Sequence, residues 1–141
     1  SDAGAEKFSD FTFLGHPSTY MLDKSTILDI YNKLDLKYAN KPSNYWVVEL
    51  ADGIVQRETA MLLSSPEFKD RIHKIVFCAG DALGAIGGKR LLKDKYGIQA
   101  DMISGVCTAT PLHIREIRSF TKLPILVSAK PEASQVAREL L

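Results

Sequence analysis

Two carboxylates and a glycine follow an apolar run in the segment Glu49-Leu50-Ala51-Asp52-Gly53, and this turn is the first candidate for chemistry. Burying a carboxylate within an apolar run is unfavourable unless it is paired or binds a cation. Glu49 could therefore hold a magnesium ion with its waters, or act as a base. The alternative is structural: Glu49 would pair with Arg57, and Asp52 would cap the helix that follows.

A second candidate loop follows the next apolar run, with Gly80, Asp81 and Gly84 at its start. Glycines let backbone N–H groups approach an anion, and two cations, Lys89 and Arg90, come behind them. The spacing does not match a phosphate loop, because the first glycine of that motif and its final serine or threonine are both missing. The dinucleotide pattern G-x-G-x-x-G is also missing. The alternative role for these glycines is close packing of a helix.

A third loop contains His16, Ser18 and Thr19 after a Gly-His-Pro turn. The histidine could transfer a proton, and the two hydroxyls could contact a phosphate or a metal ion. The alternative is a turn followed by a helix cap.

The fourth loop contains Thr108 and precedes a segment that begins with Thr110. A hydroxyl at Thr108 could face a ligand, whereas Thr110 is explained by helix capping alone. Cys107 and His113 could form a nucleophile and its base, but this pair has no third group to orient the histidine.

The elements that would position these loops are read from hydrophobic patterning. Five runs have the length and composition of strands: residues 11–14, 45–50, 74–79, 100–106 and 124–127. Helix-period segments alternate with them: residues 26–38 capped by Ser25, 56–64 ended by Pro66, 83–96 with Gly97 as the residue after the helix, 111–120 capped by Thr110, and a last helix from Pro131. This alternation predicts a three-layer α/β domain of the Rossmann-like or P-loop-NTPase-like kind, with a mostly parallel sheet of about five strands and helices on both faces. In such a sheet, ligands bind at the carboxyl ends of the strands, where all four loops lie.

Composition narrows the class of protein. The chain has 141 residues, with 18 Lys and Arg against 17 Asp and Glu. Because these charges are scattered along the sequence, we expect no nucleic-acid partner, and no apolar stretch is long enough to predict a membrane span. Two cysteines and no secretory signal favour reduced thiols and a cytoplasmic protein. We expect residues 1–7 to be a leader or expression remnant, and residues 8–141 to form one domain, either alone or as part of a longer protein.

Three segments, in this order, resemble the second half of the dethiobiotin-synthetase-like group of P-loop NTPases. The acidic turn of that group resembles residues 48–53, its helix start resembles residues 83–91, and its later strands resemble residues 103–106 and 123–126. The resemblance covers roughly residues 45–128. It implies that Glu49 is the magnesium-side carboxylate and that the loop around Thr108 approaches a nucleotide base. The family places asparagine where this chain has Thr108, and its phosphate-binding loop is missing from this sequence.

The sequence leaves three functions open and does not decide whether the protein is an enzyme. The first is part of an ATP- and magnesium-dependent ligase or NTPase, completed by a preceding segment or domain that supplies the phosphate loop. The second is a non-enzymatic domain that binds a small-molecule ligand or has a regulatory role. The third is an interaction module, for which a homo-oligomer is one form.

Overall fold

The computed structural model describes residues 5–39 and 45–128, together with Ser134, Val136 and Arg138. The chain divides into two compact units, Ser1–Ser65 and Pro66–Leu141. The expectation of a single domain over residues 8–141 stays a prediction, since two compact units can belong to one domain or to two.

The first unit is helical in its described part. It contains a 3₁₀ helix at Phe11–Leu14, helix α1 at Lys24–Tyr38 and helix α2 at Arg57–Leu63. The core of this unit comes from Ile27, Ile30 and Tyr31 of α1 and Leu62 and Leu63 of α2. The helical spacing in residues 26–38 predicts Ile27, Ile30, Tyr31 and Leu34 on one face; the first three are buried and Leu34 is half-buried.

The cap of α1 is Asp23 rather than the predicted Ser25. The Asp23 carboxylate accepts a hydrogen bond from the Thr26 backbone N–H at 2.9 Å, while the Ser25 hydroxyl donates to the same carboxylate at 2.5 Å. The bond from Ser25, followed by the one from Thr26, lowers the pKa of Asp23 to about 2. A carboxylate is favoured at this position because it also meets the positive end of the helix dipole.

Both strands predicted in the first unit are wrong. Residues 11–14 form a 3₁₀ helix because Asp10 caps its first N–H groups and Gly15, with φ of 86°, ends it in the left-handed conformation. Residues 45–50 are irregular, and their apolar side chains are largely in solvent, with Val47 89% exposed. The Trp46 ring packs against the Tyr31 ring, and the two ring centroids lie 5.5 Å apart.

The second unit contains the sheet. Helix α3 spans Pro66–Lys69, strand β1 Val76–Cys78, helix α4 Ala82–Tyr96, strand β2 Met102–Ser104, a second 3₁₀ helix Val106–Thr108, and helix α5 Pro111–Phe120. The two strands are parallel and pair Val76 with Met102 through Cys78 with Ser104. A single parallel bridge joins Ile103 to Ile125, which is all that forms of the strand predicted at residues 124–127.

The predicted five-stranded, three-layer sheet is therefore wrong. In the described residues the structure has one sheet of two short parallel strands, and about half of the chain is helical. Parallel strands are stable where both faces are covered. Of the two strands, only β2 is buried at every residue, at Met102, Ile103 and Ser104. In the other strand, β1, both Val76 and Cys78 are exposed. The other segments of strand-like composition did not form buried strands.

The helices of the second unit were predicted more accurately, because their ends depend on local capping. Helix α4 ends at Gly97, which has φ of 70° as expected, and α5 begins at the predicted Thr110 cap and Pro111. Of the predicted last helix, Ser134, Val136 and Arg138 are helical, and its other residues lie outside those that the structure describes. Helices α4 and α5 pack on β2 around one core, formed by Ala82, Ala85, Ile103, Cys107, Ile117 and Ile125.

Two adjacent glycines in α4 provide a test of this packing. A Cβ at Gly87 would meet open space, whereas a Cβ at Gly88 would overlap the ring of Phe77. We expect Gly87→Ala to stabilise the protein by about 0.5–1 kcal/mol through helix propensity. We expect Gly88→Ala to destabilise it by roughly 1–3 kcal/mol, because the ring must move. Urea denaturation followed by circular dichroism measures both, and equal effects of the two substitutions would contradict the packing.

Candidate functional site

The carboxyl ends of β1 and β2 lie in backbone contact. The Ala79 N–H donates to the Ser104 carbonyl at 3.1 Å, and the Cys107 N–H donates to the Ala79 carbonyl at 2.9 Å. Gly105 lies between them with φ of 95°, and a Cβ there would lie 2.8 Å from both the nitrogen and the oxygen of Ala79. Gly105 must therefore be glycine. Our reading of the sequence missed this role, although a glycine directly after a strand is a recognised signal of close backbone approach.

At the start of α4, the predicted residues Gly80, Asp81 and Gly84 do come together. Asp81 is the N-cap, and its carboxylate accepts the Gly84 N–H at 2.6 Å. A phosphate at a helix N-terminus would use these same N–H groups and the positive end of the dipole. Since Asp81 occupies that position with its own negative charge, this loop is poorly suited to an anion.

Thr108 is 1% exposed, and its hydroxyl is fully engaged. It donates to the Gly105 carbonyl at 2.8 Å and accepts the Ser128 N–H at 3.1 Å, and the Ser128 hydroxyl donates to the same Gly105 carbonyl at 3.2 Å. The Thr108 side chain thus ties the loop after β2 to the segment that follows Ile125. Ser128 was not predicted, because its contact with Thr108 depends on the tertiary fold.

The suggested pair of Cys107 and His113 has no support from this geometry. Cys107 is fully buried, and burial raises the pKa of its thiol, which disfavours the thiolate that a nucleophile requires. Its sulfur lies 3.2 Å from the Ser104 carbonyl. The backbone N–H of His113 donates to the Thr110 hydroxyl at 3.3 Å, which completes the cap of α5.

In the first unit, the acidic turn is exposed at Glu49, Asp52 and Gly53. The expected ion pair between Glu49 and Arg57 is replaced by one between Arg57 and Glu58, with Nη1 3.1 Å from Oε1. Asp52 and Gly53 both have left-handed backbones, with φ of 66° and 82°, and so form a turn ahead of α2. Gln56, not Asp52, caps that helix by accepting the backbone N–H groups of Glu58 and Thr59.

The residues proposed for magnesium do not form a ligand set in the described part of the chain. No group of three His, Cys, Asp or Glu side chains there is arranged to hold a metal ion. Magnesium at Glu49 therefore stays a prediction from the resemblance.

The His16 loop has structural contacts. The His16 N–H donates to the Phe11 carbonyl at 3.2 Å, and the Ser18 hydroxyl accepts the Tyr20 N–H at 3.0 Å. The Thr19 carbonyl accepts the Leu22 N–H at 3.2 Å. These are the hydrogen bonds of a turn leading into α1, which was the alternative interpretation.

A buried carboxylate that the sequence analysis missed is Glu58, which is 4% exposed. One oxygen accepts the Met21 N–H at 2.7 Å and faces the Arg57 guanidinium, and the other is bonded by the Gln56 amide. Burial raises the pKa of Glu58, but the hydrogen bonds and the Arg57 charge outweigh it and leave the pKa below its ordinary value of 4.5. As an ion, Glu58 therefore connects Met21, in the segment that precedes α1, to α2.

A concavity of the second unit lies between α4 and the end of α5, and it is not lined by Gly80, Asp81, Gly84 or Thr108, the residues predicted in this unit. We call it the α4–α5 groove; its volume is about 560 Å³. It is lined by Ile86, Lys89, Arg90, Lys93 and Asp94 of α4, by Gln99 and Ala100, and by residues 120–123. The α4 members recur at the three- and four-residue spacing that places side chains on one helix face.

The charge of this groove is strongly unbalanced. Four cations, Lys89, Arg90, Lys93 and Lys122, face one carboxylate, Asp94, in a chain whose total charges nearly cancel. Asp94 pairs with Arg90 at 3.3 Å, and Lys89 donates to the Thr121 hydroxyl at 3.2 Å. Within the described residues, the ammonium groups of Lys93 and Lys122 have no hydrogen-bonding or ionic partner. The side chains of the groove therefore carry a net positive charge. The negative end of the α5 dipole offsets part of it.

Lys89 and Arg90 do not stand behind the glycine loop, as the sequence suggested. Lys89 follows Ala82, the first residue of α4, by two helical turns, or about 10 Å along the axis. That distance puts both cations in the groove rather than at the helix N-terminus.

Comparison with protein-family models, curated proteins and solved structures finds no match for this chain. The proposed membership of the dethiobiotin-synthetase-like group therefore rests on the short sequence resemblance alone. Among the helices that the structure describes, none is long and apolar enough to cross a membrane.

The Glu58 network generates a prediction about acid stability. Because its pKa is lowered on folding, the carboxylate stabilises the first unit fully above pH 4.5 and loses that effect as the pH falls through the folded-state pKa. We expect Glu58→Gln to unfold at a lower temperature at pH 7, with the difference from the wild type shrinking towards pH 3. Trp46, the chain's single tryptophan, reports unfolding of this unit by fluorescence.

The matched control is Glu49→Gln, the same change at an exposed carboxylate of the same unit. We expect it to leave the unfolding temperature unchanged at both pH values. A Glu58→Gln variant that is as stable as the wild type at pH 7 would show that the carboxylate has no stabilising role.

Proposed function

We propose that this chain is a non-enzymatic ligand-binding or regulatory protein, and that its α4–α5 groove binds an anionic small molecule. The observation that carries the proposal is the concentration of Lys89, Arg90, Lys93 and Lys122 around a concavity of about 560 Å³. Small-molecule sites commonly have volumes of roughly 300–1,000 Å³.

The composition of the groove supports a binding role. Ile86 and Leu123 are partly buried and Ala100 is buried, so they provide an apolar floor, and the cations stand at its rim. An apolar floor with a few convergent polar groups is the common design of ligand sites. Phosphate and carboxylate groups are the natural partners of lysine and arginine at such a rim.

The non-enzymatic part of the proposal is supported by what the reactive side chains do. Three candidates for chemistry in the second unit have structural roles, since Asp81 caps α4, Thr108 bonds Gly105 and Ser128, and Cys107 is buried in the core. The described side chains that line the groove are suited to binding and charge neutralisation rather than to nucleophilic attack.

The hypothesis of an ATP- and magnesium-dependent ligase or NTPase stays a prediction, and it depends on Glu49 and on the loop around Thr108. The two proposals differ in their requirements. A ligase fragment needs magnesium and a phosphate loop from a preceding segment, whereas the groove needs only the second unit's own lysines.

Replacing two groove lysines tests the proposal. We expect the wild-type protein to bind inorganic tripolyphosphate in buffer of low ionic strength with EDTA present, as measured by isothermal titration calorimetry. We expect Lys93→Gln/Lys122→Gln to weaken this binding about tenfold or more, because each lost contact is a charge-assisted hydrogen bond worth roughly 1 kcal/mol at an exposed site. Affinity should also fall with added salt.

A matched control is Lys95→Gln/Arg118→Gln, which removes the same charge from exposed positions of α4 and α5 outside the groove. We expect the control to weaken binding much less than the groove variant, since Lys95 and Arg118 do not line the groove and Coulomb attraction falls with distance. Equal weakening by both double variants, or no binding by the wild type, would contradict a site in the groove.

A further inference from the structure

Phe120 is an exposed aromatic residue in a groove that is otherwise cationic. It is the last residue of α5, it lines the groove, and it is 70% exposed. Its immediate neighbours Thr121 and Lys122 line the same wall, opposite the α4 stripe that contains Lys89 and Lys93. The Phe120 ring is therefore accessible to a ligand beside the ammonium groups of the groove.

From this juxtaposition, we infer that the ligand of the groove is a mononucleotide, whose base stacks on Phe120 while its phosphates contact Lys93 and Lys122. The inference rests on the proposed function, because it identifies the ligand class of that same groove. Stacking on an aromatic side chain is available to every base and is a common recognition device for nucleotides. Lysine is a common phosphate partner that acts as a point charge.

The size of the groove favours one nucleotide over a nucleic-acid strand. A volume of about 560 Å³ accommodates a drug-sized molecule. Grooves for single strands place successive bases on several aromatic side chains along a basic track. Phe120 is the single aromatic residue among the described residues that line this groove.

The apolar floor gives the base a further favourable environment. Leu123 and Ile86 are only partly buried in the free protein, so a ring lying over Phe120 would cover apolar surface that is now accessible to water. The phosphates would meanwhile stay at the rim, where they remain solvated and meet the lysines. The two parts of a nucleotide thus match the two parts of the groove.

The test compares ATP with inorganic tripolyphosphate on the full chain, by calorimetry in low-salt buffer with EDTA. Both probes carry three linked phosphates, and only ATP adds a base and a ribose. Stacking on one aromatic side chain strengthens binding by about tenfold. We therefore expect ATP to bind roughly tenfold more tightly than tripolyphosphate to the wild type.

The decisive variant is Phe120→Ala. An exposed side chain can be truncated with little effect on folding, which circular dichroism would check. We expect this variant to bind ATP no more tightly than tripolyphosphate, because tripolyphosphate carries one more negative charge than ATP, and we expect its tripolyphosphate affinity to match that of the wild type. Phe13→Ala, which truncates a phenylalanine of similar exposure in the first unit, should retain the wild-type preference for ATP.

The outcomes separate the inference from the proposal on which it rests. Equal binding of the two probes by the wild type, with both dependent on Lys93 and Lys122, would overturn the mononucleotide inference and leave the anion site standing. Affinity that rises with the length of an oligothymidylate, above that for ATP, would overturn it in favour of a strand. Failure of both ATP and tripolyphosphate to bind would overturn the proposed function itself.

Discussion

The second unit depends on a close backbone approach at the ends of its two strands. Gly105 lies against Ala79, where a single Cβ would overlap the Ala79 backbone, and the Cys107 N–H bonds the Ala79 carbonyl. This contact turns the chain directly after β2, so that Cys107 enters the core with Ile117 of α5 and Ala85 of α4. The packing of α4 on α5 follows from it, and so does the groove beside them. A two-stranded sheet suffices because these helices supply half of the core residues, Ala82, Ala85 and Ile117.

The sequence predicted best those elements whose stabilising interactions are local in the chain. Helix ends depend on caps and left-handed residues within one turn, so α4 and α5 were located almost to the residue through Gly97 and Thr110. Strands depend on partners distant in the chain, and apolar composition alone suggested five of them. Residues 45–50 illustrate the failure: they have strand-like composition, yet Val47 is almost wholly exposed.

The candidate site shows the same division. Of the polar residues predicted at strand ends, Asp81 and Thr108 do follow β1 and β2, whereas Glu49 and His16 follow no strand. The sequence could not show that Thr108 is satisfied by Ser128. The groove was missed because Lys93 lies in α4 and Lys122 follows the end of α5, and the two line one concavity only when α4 packs on α5. Part of the signal was present in the sequence, since Ile86, Lys89, Arg90 and Lys93 have the spacing of one helix face. From the sequence, Lys89 and Arg90 were instead assigned to the glycine loop, and Lys93 was given no role.

The central claim is that ligand binding takes place in the α4–α5 groove and not at the strand ends or the acidic turn. The most direct measurement is an NMR titration of the isotope-labelled full chain with ATP, following the backbone amide shifts with and without magnesium. The account predicts shifts over residues 89–94 and 120–123, with little change at Gly80, Asp81 and Glu49, and no requirement for magnesium. Shifts confined to residues 80–84 and 49–53, and dependent on magnesium, would contradict it.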